Sequence, residues 1–288
     1  MEQIILHPET ILEDPERFWR EDQAYQLVEL WHDAINQPLD MDKWREGVER
    51  LAALPQSERE SHSQLEAARR VAAIEERFVE QVVPYLCKWI PSDADLSTTI
   101  YFTTEIIAAG FQQRGDVVIH ILNAELLNLF VHEVFHRGYA STYRRYVSSE
   151  FETDPRRLMY LSLQNEGMAT YVAYRAIELF PQIGEVGQSL IATDYDLLEN
   201  PEEVANLHSR LRRLYQEADQ LTADELRSRS WEIGIQERAN YVVGAYMAQT
   251  IERELGRGAL VETIKNGPQS FVAAYNSVAP KERQIPTL

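Results

Sequence analysis

Along most of the chain, apolar residues recur every three or four positions, the spacing that lines one face of an α-helix. The longest such pattern runs from Ser57 to about Lys88. It sets Ala67, Val71, Ile74, Phe78 and Val82 on one face and carries Pro84 near its end. The same spacing predicts helices near 15–35, 42–53, 154–179, 201–218, 235–255 and 268–275. Helix-start signals accompany several of them. Ser57-x-x-Glu60 and Thr222-x-x-Glu225 read as capping boxes, and Asp154-Pro155 and Asn200-Pro201 read as an N-cap followed by proline at the first helical position. Two stretches break the period. Residues 96–104 (LSTTIYFTT) are β-branched and aromatic, and residues 115–122 (GDVVIHIL) form a short apolar run opened by Gly-Asp. Both read as strands. A segment carrying Gly110 and Arg114 joins them, and antiparallel pairing is expected. Asn123 then caps a helix predicted over 124–138. The fold expected is therefore mainly α with a small antiparallel β-sheet, an α+β class.

A Pro-Ser-Asp stretch between Trp89 and Asp95 separates the helical first part from the strands. It divides the chain into a helical N-terminal lobe, 1–92, and a second region, 93–288. At 288 residues the chain can bury a large core, and 44% hydrophobic with 26% charged residues is ordinary globular composition. No apolar run reaches the roughly 18–20 residues that span a bilayer. The acidic start MEQIILHPETILEDPERFWR lacks the basic-then-apolar layout of a secretory signal, so a cytoplasmic location is expected. The formal net charge of −18 disfavours nucleic acid and anionic membranes as partners. The single cysteine, Cys87, excludes an intramolecular disulfide and any zinc site built on cysteine pairs. In its apolar setting, VVPYLCKWI, it is expected to be buried and inert.

The helix predicted over 124–138 carries the chemistry. His132-Glu133-Val134-Phe135-His136 spells H-E-x-x-H. Residues four apart share a helix face, so both imidazoles can close on one metal ion. Glu133, about 100° further round, can reach a water on that ion. A chain of this composition shows the pattern by accident about once or twice in a hundred. Three features strengthen it. Leu127, Phe130, Val131, Val134 and Phe135 surround the motif, and two histidines and a glutamate in so apolar a helix are costly unless paired or metal-bound. The strand at 115–122 leads into the motif helix and can act as a sheet edge that takes a peptide as a further strand. A catalytic zinc also needs a third protein ligand and an open position. Where a metzincin needs glycine and histidine, this chain has Tyr139 and Thr142, and no Gly-Thr-x-x-x-Asp run supplies an aspartate. Asn165-Glu166-Gly167-Met168-Ala169 offers Glu166, with small neighbours that let its helix approach the motif helix closely. Glu133-x-x-His136 is also half of a di-iron signature, and Glu29-x-x-His32 is a second half. That reading leaves His132 without a role and the strands without a place.

These residues resemble the gluzincin clan of zinc peptidases, typified by thermolysin, which combines H-E-x-x-H on one helix with a glutamate on a following one. The Glu-Gly-x-Ala variant is similar to small bacterial families of zinc-dependent peptidases. The resemblance spans about 98–275 and makes 93–288 a zincin-like catalytic region. It implies zinc held by His132, His136 and Glu166, with Glu133 as general base, Asn165 supporting a ligand, and a peptide or protein as substrate. Asn123-Ala124 is similar to the Asn-Ala at the clan's substrate edge. The helix around Glu237–Met247 resembles a Tyr-x-x-Gly helix beside the zinc, which makes Tyr241 the first candidate for oxyanion stabiliser and Arg238 the second. No Gly-x-Met-Glu-Asn segment is present, which favours an endopeptidase over an aminopeptidase. His120 and His208, the latter in an exposed-looking helix, are left out of the site. The alternative is a catalytically inactive scaffold of the same fold, zinc-binding or simply helical, that binds other proteins.

Overall fold

The computed structural model describes residues 2–4, 53, 55, 78–103, 110–113, 115–120, 126–146, 154–180 and 190–287. The helices expected at 15–35 and 42–53, the Ser57 capping box, Glu29 and His32, and Asn123-Ala124 lie outside them.

A four-stranded sheet is built from β1 (Glu2–Ile4), β2 (Thr99–Thr103), β3 (Gly110–Gln113) and β4 (Asp116–His120), in the order β1-β2-β4-β3. β1 pairs with β2 and β2 with β4 in parallel, while β3 and β4 are antiparallel. The expected antiparallel pairing of the two strand-like stretches is thus corrected: Ile100 faces Val117 and Thr103 faces His120 in a parallel ladder. The reason is an additional strand. The joining segment contributes β3, whose Gln113 pairs with Asp116 of β4, and Gly115 just before β4 takes φ 99°, a left-handed conformation that glycine adopts without penalty. β3 runs opposite to β4, and β2 runs with β4, so the two strand-like stretches end up parallel with β3 as the antiparallel strand. Ile100, Phe111, Val117, Val118 and Ile119 are buried.

The rest is helical. A π-turn (Phe78–Val82) leads into α1 (Val83–Leu86). α2 (Leu126–Tyr146) carries the motif and extends well past the expected end at 138. Its buried Leu127, Leu129, Phe130, Val131, Val134, Phe135 and Tyr139 cover the helix all round, as befits a central element. α3 (Pro155–Leu179) starts where the sequence indicates, with the Asp154 carboxylate accepting from the Arg156 amide. α4 (Leu190–Glu199) was not anticipated. α5 (Pro201–Glu217) is capped by Asn200, and α6 (Ala223–Ser230) by the complete Thr222–Glu225 capping box. α7 (Ala239–Leu255) begins later than expected, because a second π-turn (Trp231–Gln236) precedes it and Arg238 sits at φ 68°. α8 (Arg257–Asn266) and α9 (Pro268–Val278) complete the order. Among the described residues no helix is long and apolar enough to cross a membrane.

α2, α3 and α7 form the centre, with the sheet against α2. The segment 78–90 packs into the same core: Phe78 stacks on Phe130 at 4.7 Å, and the Tyr85 hydroxyl donates to the Val172 carbonyl at 2.7 Å. Two sequence expectations change here. Cys87 is exposed, because it lies across the helical end from the buried Leu86, Trp89 and Ile90. His208 is buried rather than exposed, since it shares the inward face of α5 with Leu207 and Leu211 and meets Tyr275 of α9.

Candidate metal centre

Helical periodicity puts His132 and His136 on one side of α2, and α3 brings a carboxylate to them. Glu166 Oε2 lies 3.3 Å from His132 Nε2 and 3.4 Å from His136 Nε2. Ligand atoms bound tetrahedrally at about 2.0–2.1 Å sit about 3.3 Å apart, so these two separations are edges of a zinc-sized tetrahedron. One atom from each of the three side chains lies within 4.8 Å of the other two, and two imidazoles with a carboxylate are a donor set that zinc accepts. The residues therefore fit the metal.

The second histidine is held by its far nitrogen. His136 Nδ1 is 2.9 Å from Asn165 Oδ1, a carbonyl oxygen that can only accept, so the proton sits on Nδ1 and Nε2 faces Glu166. One turn on, the Tyr139 hydroxyl donates to Gln164 Oε1 at 2.7 Å, and Gln164 Nε2 donates to the Thr263 hydroxyl at 2.9 Å. This buried chain ties α2, α3 and α8 together and fixes the register of the two ligand-bearing helices.

The electrostatics follow from burial and mutual contact. Burial alone would depress both histidines. At His136 the Glu166 carboxylate outweighs that effect and raises it to about 9. At His132 burial, aided by neighbouring His136, prevails and lowers it to about 4. Burial would raise Glu166, but His136 and His132 pull it well below the usual carboxylate range. Glu166 is thus held as an anion between the two imidazoles. Glu133 stands apart. Burial lifts its carboxyl to about 7, with His136 opposing and Glu166 adding to the rise. Gly110 of β3 leaves room for it: a Cβ there would come within 3.0 Å of Glu133 Cγ and 3.2 Å of its Oε1.

The structure also corrects the role expected of Gly167. It faces α7 rather than the motif helix. A Cβ on Gly167 would lie 2.3 Å from the Gly244 Cα, and one on Gly244 would lie 2.4 Å from the Leu163 carbonyl. α3 and α7 therefore cross backbone to backbone, which only glycine allows at both positions. The crossing brings Tyr241, one turn before Gly244, up to the cluster. Its ring lies 6.2 Å from the His132 ring at 18°, and burial first, then Glu166, pushes its hydroxyl above the usual tyrosine range. Arg238 stacks on the Tyr241 ring, 3.3 Å from its centroid, and holds Asp194 of α4 through Nε at 2.8 Å and Nη2 at 2.5 Å. Asp194 was missed by sequence reading. Nothing local marks it, because its partner is 44 residues away.

The sheet edge is not where the sequence placed it. β4, within the expected 115–122 edge, is paired on both sides, by β2 and by β3. Among the described residues the edge strand on the motif-helix side is β3, which carries Gly110 over Glu133.

Residues 55–284, well over half of the chain, match the family described as putative zinc dependent peptidase (DUF5700). No curated protein and no solved structure matches the chain.

Proposed function

The chain belongs to this zinc-dependent family, and from that membership we propose that it hydrolyses peptide bonds at a gluzincin-type centre in which His132, His136 and Glu166 hold one zinc ion. The observation that carries the reading is the convergence of two imidazole nitrogens on one carboxylate oxygen at 3.3 Å and 3.4 Å, with all three ligand atoms within 4.8 Å of one another. Bound there, zinc supplies Lewis acidity to a water and to a substrate carbonyl.

The chain's own residues supply the rest. Glu133 takes a proton from the attacking water and returns it to the leaving nitrogen. Its elevated proton affinity suits a group that must both accept and release near neutral pH. Tyr241 stays protonated and donates to the developing oxyanion. Arg238 holds the Tyr241 ring in place, since two of its donors are committed to Asp194. Asn165 fixes the tautomer of His136. The edge strand β3 receives an extended peptide as an added strand and passes its scissile bond over Glu133. The substrate is a peptide or protein, the cleavage internal, and the setting cytoplasmic, with neither nucleic acid nor membrane as a partner.

Metal analysis and an unfolded-protein cleavage assay test this together. Wild type should carry about one zinc per chain. Glu133→Gln should keep the metal and lower turnover about 10²–10⁴-fold. A wild-type protein that stays metal-free with zinc supplied, or an undiminished Glu133→Gln enzyme, would falsify the reading.

A further inference from the structure

Away from the metal cluster, α5 and the 3₁₀ turn Lys281–Arg283 enclose a cavity of about 340 Å³, the size of a small-molecule pocket. Three guanidinium groups line it, from Arg212, Arg213 and Arg283, with His208 beside them and Ser209 and Gln216 as further hydrogen-bonding groups. Among the described residues none of the three arginines forms an ion pair, whereas every other arginine whose side chain is described does. This is unexpected in a chain with 46 acidic residues and a net charge of −18. Glu282 also lines the cavity, but what it gives Arg212 is its main-chain oxygen, which accepts from Nη1 at 3.2 Å. Arg283 Nη1 donates to the Tyr246 hydroxyl at 2.5 Å. Arg212 Nε is enclosed without a partner. The Arg213 side chain is exposed and makes no hydrogen bond among the described residues.

His208 does not supply the missing negative charge or add to the positive one. It is buried, and its Nε2 sits 3.3 Å from the Tyr275 hydroxyl. Three like charges thus converge on one concavity against a single lining carboxylate, that of Glu282, which forms no ion pair with any of them among the described residues. Such an arrangement is unfavourable when empty and favourable when an anion fills it. A carboxylate occupies one guanidinium fork, whereas a tetrahedral dianion offers enough oxygens for several forks at once. The cavity also exceeds a lone phosphate in size.

We propose that this cavity binds a phosphate group, free or as the monoester of a small molecule, through Arg212, Arg213 and Arg283. The bound group bridges α5 and the C-terminal turn. The site is independent of the metal centre and of the reaction proposed there.

The test is calorimetric titration of the full-length protein at fixed ionic strength, with inorganic phosphate in one arm, phenyl phosphate in the second and acetate in the third. Saturable binding is expected for at least one phosphate probe and not for acetate. The probe that binds tells free phosphate from ester. Arg213→Ala removes no hydrogen bond or ion pair among the described residues and should weaken binding at least about tenfold, and Arg283→Gln likewise. Absence of saturable binding by both phosphate probes overturns the proposal. So does equal binding of acetate, or binding that survives Arg213→Ala, as binding at the metal cluster would.

Discussion

Arg238 and Arg213 are the same residue used in opposite ways. Arg238 is largely enclosed, closes a two-point contact with Asp194, a carboxylate that is 1% exposed, and covers the face of Tyr241. Arg213 stands in solvent beside two other arginines and forms no ion pair among the described residues. Around the metal cluster the fold compensates its own charge, and the guanidinium serves as a strut that aims a tyrosine. In the second cavity the compensation is left to whatever enters. A charge satisfied inside the fold therefore marks scaffolding, and a group of like charges left unsatisfied marks a place for a ligand.

The strongest test of that contrast is Arg238→Ala, which strands the Asp194 carboxylate. Removing one partner of a buried pair costs about 3–5 kcal/mol, and chemical denaturation should show the loss as a lower midpoint with unchanged slope. A loss within the range of surface substitutions would mean that Arg238 is no strut, and the contrast would fail.

His208 gives a smaller, pH-gated effect on the other side of the comparison. Burial, then the nearby Arg283 and Arg212 guanidiniums, lower it to about 4, against 6.5 for a free histidine. Between those values the unfolded chain binds a proton that the folded one refuses. The stability tied to neutral His208 is thus whole above about pH 6.5 and is lost as pH falls towards 4, by up to about 3 kcal/mol. Unfolding curves from pH 7 to pH 4 should fall less steeply for His208→Gln than for wild type. Parallel curves would show that the buried ring is not the group responsible.

Arg213→Ala should have the smallest effect. Without an anion, its stability should stay within about 0.5 kcal/mol of wild type, or rise slightly as repulsion is relieved. A loss comparable with that of Arg238→Ala would show that Arg213 already has a partner in the fold.

The parts of the site that follow from local periodicity were legible in the sequence. His132 and His136 share a face because four residues are close to one helical turn. The Asp154, Asn200 and Thr222 caps acted where they stand. Glu166 was found through the glycine beside it, though for a reason that the fold replaced: Gly167 opens the crossing with α7 and so positions Tyr241, while the Glu166 carboxylate reaches α2 by its own length. The strand direction was not legible, because a four-residue strand, Gly110–Gln113, carries too short an alternation to announce itself, and missing it leaves out the antiparallel partner of β4.

By itself, then, the sequence marked the candidate ligands and the candidate general base, since those depend on residue type and, for His132, Glu133 and His136, on spacing within one helix. The tertiary structure decided what joins them across distance. It set the Glu166 oxygen midway between two imidazoles, paired Arg238 with Asp194, laid β3 over Glu133, and brought Arg283 to Arg212 and Arg213 from 71 and 70 residues away. The physical reason is that helical periodicity is a property of neighbouring residues, whereas strand direction, helix crossing and charge convergence are properties of how whole elements pack.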